Sequence, residues 1–179
     1  MFKKFSREDV HSRSNIKSSA QRALKNKLVE QFSGLEPAID AVILKKSQVE
    51  LMKCEDRIQL YSRDNEVVLF QHFDDVGPTL KIVHQFPQCF PWVKVDRGAI
   101  KFVLSGANIM CPGLTSAGAS LPDECLEKDS LVSIYAEGKE NALAIGKLTM
   151  STDEIKSKNK GIGIELLHYL GDGLWHFIA

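Results

Sequence analysis

Two glycines frame the segment of this 179-residue chain whose residue types suggest the most specific chemistry. Gly106 and Gly113 enclose Asn108 and Met110 in the sequence GANIMCPG, directly after a short amphipathic helical pattern in residues 99–104. Glycine has no Cβ atom, so a ribose–phosphate backbone can approach the main chain closely there, and N–H groups can donate hydrogen bonds to phosphate oxygens. The segment therefore predicts a contact with nucleic acid.

Two better-known phosphate-binding motifs do not fit this segment. A P-loop requires Gly-x-x-x-x-Gly-Lys-Ser/Thr, and no Lys-Ser or Lys-Thr follows either glycine. A dinucleotide-binding fingerprint requires a strand before the glycines and a helix after them, whereas here the helical pattern comes first. A simple helix-to-strand turn remains open, in which the glycines permit positive φ and Ala107 packs inward.

Side chains near the glycine loop extend the candidate RNA site. Ile109 and Met110 can flank an unstacked base, as single-stranded RNA requires, although core positions are the alternative for both. Lys101 in the helix and Lys160 in a later segment are candidate phosphate contacts, with solvated charges as the alternative. The expected RNA-binding residues around the loop are Lys101, Gly106, Ala107, Asn108, Met110, Gly113, Lys160 and Gly161.

A second candidate RNA contact is the basic amino-terminal region. The chain as a whole is neutral, but residues 1–32 carry eight basic and three acidic side chains, a net charge of +5. A helix is expected there, with Ser14 as its N-cap and Gly34 as its end. Its apolar stripe would be Ile16, Ala20, Leu24, Leu28 and Phe32. Lys17, Arg22 and Lys25 fall largely off this stripe, so we expect them to face water or RNA.

The same composition argues against several other functions. The four cysteines form no Cys-x-x-Cys pair, and the five histidines form no recognised ligand motif, so we expect buried thiols, no metal and no cofactor. No aspartate, cysteine or histidine lies in a recognisable catalytic motif, which favours a protein that is not an enzyme. The chain contains no apolar run of membrane-spanning length and no signal-peptide pattern. We therefore expect a soluble cytoplasmic protein without a membrane partner.

The elements that must position these residues fall into two predicted domains. In residues 1–91, Pro37 begins a short second helix, and alternating apolar residues between positions 49 and 72 predict an antiparallel meander. TLKIVHQF predicts a helix that packs on this sheet, and the proline-containing FPQCFPWV predicts a linker. The first domain is thus expected to be a small α/β unit.

Residues 92–179 are expected to form a mainly β domain with one early helix capped by Asp96. WVKV, SLVSIYAEG and ALAIGKLTM predict strands, and Ser151 with Glu154 predicts a capping box. The last segment reads as a hairpin with Asp172 and Gly173 in its turn. Several short strands in so few residues suggest a small barrel. Its net charge of −2, with four acids in residues 123–129, makes it a weak electrostatic trap for RNA.

Three ordered blocks of the second domain resemble a PUA domain, the module shared by pseudouridine synthases and archaeosine transglycosylases. They are VDRGAIKFVLSGANIMCPGLTSAGA, LAIGKLTMSTDEI and NKGIGIELLHYLGDGLW. The whole chain, including its MFKKF start, resembles the family of malignant T-cell-amplified sequence proteins, known in yeasts as translation machinery-associated protein 20.

This resemblance implies an α+β protein with two domains. Helices packed on an antiparallel sheet would form a pre-PUA domain in residues 1–91. A PUA pseudo-β-barrel in residues 92–179 would hold RNA beside its first helix and the glycine loop. Density-regulated protein would be the partner and supply a domain of the SUI1 type.

The resemblance also implies a function without catalysis. The pair would act on the rRNA of the small ribosomal subunit and on tRNA, in release of deacylated tRNA, recycling of post-termination subunits and translation reinitiation. An RNA-independent protein scaffold, or an accessory subunit of an RNA-modifying enzyme, remains as an alternative.

Overall fold

The computed structural model describes residues 1–43 and 46–179 and divides them into two compact units. The N-terminal unit comprises Phe5–Phe90 together with His176–Ala179, and the C-terminal unit comprises Pro91–Trp175 together with Met1–Lys4. Each end of the chain therefore packs with the unit formed by the opposite part of the sequence.

The N-terminal unit places helices on a five-stranded antiparallel sheet. In chain order its elements are β1 (Val10–Asn15), α1 (Ser18–Gln31), α2 (Ile39–Val42), β2 (Val49–Cys54), β3 (Ile58–Arg63), β4 (Glu66–His72), β5 (Asp75–Pro78) and α3 (Leu80–Gln85). The strands pair in sequence order, which confirms the predicted meander and the helix within TLKIVHQF. The Gln31 side-chain amide donates to the Val76 carbonyl at 2.8 Å and ties the end of α1 to β5.

The start of this unit differs from the sequence prediction. Ser14 does not cap α1, because it lies in β1 opposite Leu51, and α1 begins at Ser18 after Lys17. The pairing of β1 with β2 therefore overrides the local capping preference of serine. Ala20, which was predicted to lie on the buried face of the helix, is exposed, and Gln21 is buried instead.

Pro37 also differs from its predicted position. It lies inside a 3₁₀ turn, Ser33–Ala38, rather than at the first position of α2. The turn carries the chain directly into Ile39–Val42, so the proline shapes the approach to the helix instead of beginning it.

The C-terminal unit is built on a second five-stranded sheet that curls into a half-barrel. Its elements are β6 (Trp92–Val95), α4 (Ile100–Val103), β7 (Ile109–Met110), α5 (Pro112–Thr115), β8 (Leu131–Ala136), β9 (Ala144–Leu148), α6 (Thr152–Lys158), β10 (Ile162–Tyr169) and α7 (Gly173–His176). The strand order is β6-β8-β9-β10-β7, with β6 parallel to β8 and the other pairs antiparallel. A continuous apolar core in this unit includes Val93, Ile134 and Ile164. The predicted α+β class is confirmed.

The final hairpin predicted from the sequence is wrong, because the chain after β10 forms the helical turn α7. Asp172 is buried, and its carboxylate accepts hydrogen bonds from the backbone N–H groups of Tyr169 at 3.0 Å and Trp175 at 2.8 Å. It also lies 2.8 Å from Nδ1 of His168. The aspartate that suggested a hairpin turn therefore acts as the cap of a helix.

The cysteines are mostly buried, as expected. Cys54, Cys89 and Cys111 are buried, whereas Cys125 is only partly covered. Burial raises the pKa of Cys54 to about 11, so this thiol is protonated and unreactive at neutral pH. Among the described residues, no helix combines the length and apolar character that a membrane span requires.

Candidate nucleic-acid interface

The glycine loop forms one wall of a groove of about 460 Å³ in the C-terminal unit. The groove lies between α4, the turn that follows it, β7 and the start of α5. Its lining residues are Asp96, Gly98, Ala99, Phe102, Val103, Ala107, Asn108, Ile109, Met110 and Gly113. Because most of these residues are apolar, the groove suits a flat apolar surface better than a phosphate group.

Asp96 fixes the two helical walls of this groove. As predicted, it caps the turn that leads into α4, with its carboxylate accepting the Ala99 N–H at 3.0 Å. The other carboxylate oxygen accepts the Ser116 hydroxyl just after α5. The Asp96 backbone N–H also donates to the Gly113 carbonyl at 3.3 Å. One residue thus joins the start of α4 to α5.

Gly106 turns the chain sharply at the end of α4 and has a φ of +90°. Its N–H donates to the Val103 carbonyl at 3.0 Å, and the Ala107 N–H donates to the Phe102 carbonyl at 3.1 Å. These bonds satisfy carbonyl groups at the helix end. The expectation that the main-chain N–H groups at this glycine bind phosphate is therefore wrong, because the helix already uses them.

Ala107 and Asn108, the two residues after Gly106, take different roles from each other in the structure. Ala107 is exposed and lines the groove rather than packing inward. Asn108 is exposed, but its side-chain oxygen accepts the Leu166 N–H at 3.0 Å and fastens the loop to β10. The Asn108 amide nitrogen remains as a donor toward a ligand.

Three large apolar side chains are exposed beside the groove. Phe102 and Met110 are 56% and 49% exposed, and Ile162, which pairs with Met110 across β10 and β7, is 43% exposed. The core alternative is wrong for Met110, whereas Ile109 is buried in the core. Exposed apolar side chains in one patch mark a binding surface when a groove lies beside them.

Phe102 is the site residue that the sequence interpretation missed. The sequence did contain an indication of its role. Phe102 lies between Ile100 and Val103, which the helical pattern predicts to be on the buried face, so the pattern predicts that Phe102 is exposed. The same pattern placed Leu104 on the buried face, but α4 ends at Val103 and Leu104 is exposed.

The expected phosphate contacts lie around this apolar centre. Nζ of Lys101 is 5.1 Å from the centre of the Phe102 ring, a cation–π distance. Lys160 is exposed, and the Gly161 carbonyl accepts the Cys111 N–H at 2.9 Å, which fixes this turn next to the glycine loop. Of the eight predicted residues of the C-terminal unit, four line the groove (Ala107, Asn108, Met110 and Gly113), whereas Lys101, Gly106, Lys160 and Gly161 do not.

The predicted basic residues of the N-terminal unit divide into two kinds. Lys17, which directly precedes α1, and Arg22 in α1 are exposed. Nζ of Lys25 instead forms an ion pair with Asp40 at 2.9 Å, and its side chain is only 15% exposed. Lys25 is therefore corrected from a free cation to a contact between α1 and α2. In the described part of the chain, no group of three or more His, Cys, Asp or Glu residues could hold a metal ion.

The two framing glycines are expected to respond differently to alanine. A Cβ atom at Gly106 would lie 3.1 Å from the Tyr169 ring, and the left-handed conformation costs about 1–2 kcal/mol for a residue with a side chain. At Gly113, a Cβ atom would make ordinary contacts at 3.8 Å with Ile109. We expect Gly106→Ala to lower the free energy of unfolding by about 2 kcal/mol and Gly113→Ala to lower it little.

Urea unfolding of both variants measures this difference. Equal stability of Gly106→Ala and the parent chain would contradict the assigned turn. A β-branched residue at position 106 is expected to cause a larger loss than alanine, because it adds a second branch toward Tyr169. Burial, with a smaller contribution from the Asp172 carboxylate, raises the pKa of the Tyr169 hydroxyl. This hydroxyl therefore stays protonated at neutral pH, and its ionisation does not affect the comparison of the variants.

Comparison with family models agrees with the two-part organisation of the chain. A pre-PUA-like domain matches residues 4–87, and a PUA domain matches residues 91–170. A hypothetical protein from Pyrococcus horikoshii has the same fold, with a TM-score of 0.76 at 21% identity over 94% of this chain and 100% of its own.

Two curated relatives match nearly the whole chain. Translation machinery-associated protein 20 of Saccharomyces cerevisiae is 67% identical over 99% of this chain and 98% of its own length. Malignant T-cell-amplified sequence 2 of Homo sapiens is 46% identical over 98% of this chain and 97% of its own. The name of the yeast relative describes an association with the translation machinery, and neither name is that of an enzyme. The chain therefore belongs to the malignant T-cell-amplified sequence family of translation machinery-associated proteins with a PUA domain.

Proposed function

We propose that this protein is an RNA-binding translation factor whose PUA groove receives an unstacked nucleobase. The observation that carries the proposal is the exposure of Phe102 and Met110 beside a mainly apolar groove. An unpaired base has an apolar face that can stack on such side chains, whereas a paired base within a duplex is not accessible to them.

The groove recognises the base and leaves the phosphates at its edge. Stacking of one base on an aromatic side chain contributes about 1–3 kcal/mol to binding. In this proposal Lys101, held beside the Phe102 ring, and the exposed Lys160 next to Gly161 neutralise phosphates that flank the base. The Asn108 amide nitrogen supplies a donor for the edge of the base.

The family relationship supports a more specific role for this site. The chain acts in the cytoplasm on the small ribosomal subunit together with density-regulated protein. There it promotes release of deacylated tRNA, recycling of post-termination subunits and reinitiation, without catalysing a chemical step. In this proposal residues 92–179 hold an unpaired RNA end of a tRNA or rRNA. Residues 1–91 contact rRNA through α1 and carry the protein partner.

A protein-only scaffold is the second candidate function. It is favoured by the net charge of −2 over residues 92–179, which gives weak long-range attraction for a polyanion. The two candidates differ in the salt dependence of binding. If Lys101 and Lys160 neutralise two phosphates of a single strand, the logarithm of the binding constant falls with the logarithm of salt concentration with a slope of about −1.4.

The direct test titrates the full chain with a fluorescent RNA hairpin that carries a single-stranded 3′ extension, at several salt concentrations. The proposal expects binding that weakens with salt and that disappears when the extension is removed. Absence of binding, or equal affinity for the blunt hairpin, would favour the scaffold.

The basic surface of α1 gives a separate prediction for ribosome binding. Lys17→Glu together with Arg22→Glu is expected to weaken binding to small ribosomal subunits about tenfold, because two favourable phosphate contacts become repulsive. Both side chains are exposed, so thermal stability should change little. Cosedimentation with purified subunits measures the effect. Lys25 is left unchanged because its reversal would place two carboxylates together at Asp40.

The matched control for this variant is Lys156→Glu, which reverses an exposed charge in the C-terminal unit. Cosedimentation of the double variant at the parental level would reject a role for α1 in ribosome binding while leaving the groove proposal intact.

A further inference from the structure

An exposed aromatic side chain in the N-terminal unit lies outside the RNA groove described above. Phe73 occupies the turn between β4 and β5 and is 58% exposed. Its φ of +54° is unusual for a bulky residue, and asparagine or glycine would suit this position better. Local turn chemistry therefore does not explain the aromatic ring at this position.

Neighbouring residues hold Phe73 in this open position. The Gln71 side-chain amide donates to the Phe73 carbonyl at 2.7 Å, and Gln71 in turn accepts the Tyr61 hydroxyl at 2.9 Å. The Arg57 guanidinium lies 5.5 Å from the centre of the Phe73 ring. The centre of the His72 ring lies 4.5 Å from the centre of the Phe73 ring, in an edge-to-face arrangement. The ring is thus preorganised toward solvent, which lowers the entropic cost of binding a partner.

The surrounding charge indicates which kind of partner fits. Pairing of Ile58 with His72 brings the β2–β3 turn beside the β4–β5 turn at one end of the sheet. These two turns and the first residue of β5 carry four carboxylates and a single arginine or lysine, Arg57. The carboxylates are those of Glu55, which lies 3.0 Å from Nε2 of His11, and of Asp56, Asp74 and Asp75. Nucleic acid is repelled by such a surface, whereas a basic polypeptide is attracted to it.

We propose that the Phe73 surface, formed by Phe73 and the turns of residues 55–57 and 73–75, binds a protein segment that places an apolar side chain beside lysine or arginine. The exposed ring serves as the central anchor, and the carboxylates around it select the basic flank of the partner. This inference is independent of the groove, because it concerns a different surface in the other unit and requires no RNA.

Photo-crosslinking identifies what covers this surface. We replace Phe73 with p-benzoylphenylalanine in the full chain, express it in its native cells, irradiate, and identify the crosslinked residues by mass spectrometry. The expected product is an adduct with a polypeptide segment that contains lysine or arginine. An adduct with RNA, an adduct with an acidic segment, or no adduct above that of the same probe at Asp64 would overturn the proposal.

A synthetic peptide with the crosslinked segment then serves as the binding probe. Phe73→Asn is expected to reduce its affinity about tenfold or more, because it removes the ring while asparagine tolerates the left-handed backbone. Asp56→Asn with Asp74→Asn should reduce affinity severalfold and weaken its salt dependence. Asp64→Asn, at the opposite end of the sheet, is the matched control and should bind as the parent does.

Circular dichroism confirms that each variant is folded before binding is measured. Parental affinity in the folded Phe73→Asn chain would overturn the proposal. Phe102→Ala separates this proposal from the function proposed above, since it should impair RNA binding and leave the peptide affinity unchanged.

Discussion

Phe102→Ala is expected to weaken binding of the single-stranded RNA extension about 10- to 100-fold, the effect of losing one stacked base. Phe102 is more than half exposed, so its removal costs little core packing and the variant should unfold at nearly the parental urea concentration. Fluorescence titration with the extended hairpin measures the loss. The slope of the logarithm of the binding constant against the logarithm of salt concentration should stay the same, because no phosphate contact is removed.

The matched control for this experiment is Leu104→Ala. Leu104 is an exposed apolar residue two positions along the chain, but it does not line the groove. If both variants bind RNA equally well, the exposed rim is not a stacking surface and the proposed function loses its main support. If both lose binding equally, the effect comes from general surface hydrophobicity and not from the groove.

The largest expected change in stability follows from replacing Phe2 near the amino terminus. Phe2 is completely buried in the C-terminal unit. The centre of its ring lies 6.1 Å from the centre of the His168 ring, in an edge-to-face arrangement. Its carbonyl accepts the Gly173 N–H at 2.9 Å. Loss of a buried phenylalanine ring costs about 3–5 kcal/mol, so Phe2→Ala should greatly lower the free energy of unfolding of this unit.

Tryptophan fluorescence isolates this effect. The two tryptophans of the chain, Trp92 and Trp175, both belong to the C-terminal unit. The urea midpoint followed by their emission should therefore fall sharply in Phe2→Ala, with Phe102→Ala as the control for an exposed ring. An unchanged midpoint would show that residues 1–4 are not part of this unit.

The secondary structure of the sheets was largely predictable from the sequence. Apolar residues separated by polar breaks placed β2, β3 and β4 correctly. The expected alternation of buried and exposed side chains does not hold in β4, where the four consecutive residues 67–70 are all buried. Capping residues predicted the starts of helices correctly only where strand pairing did not compete with the cap. Asp96 and Ser151 cap helices as predicted, whereas Ser14 is drawn into β1 by pairing with β2.

The sequence by itself determined the family, the α+β class and the position of the glycine loop, because these depend on residue types in a fixed order. Tertiary structure decided which groups in that loop remain available. The Gly106 N–H closes a helix, the Asn108 oxygen binds β10, and Lys25 pairs with Asp40. It also left Phe102 and Phe73 exposed and buried Phe2. Hydrogen bonding and burial depend on neighbours distant in the chain, so local spacing does not reveal them.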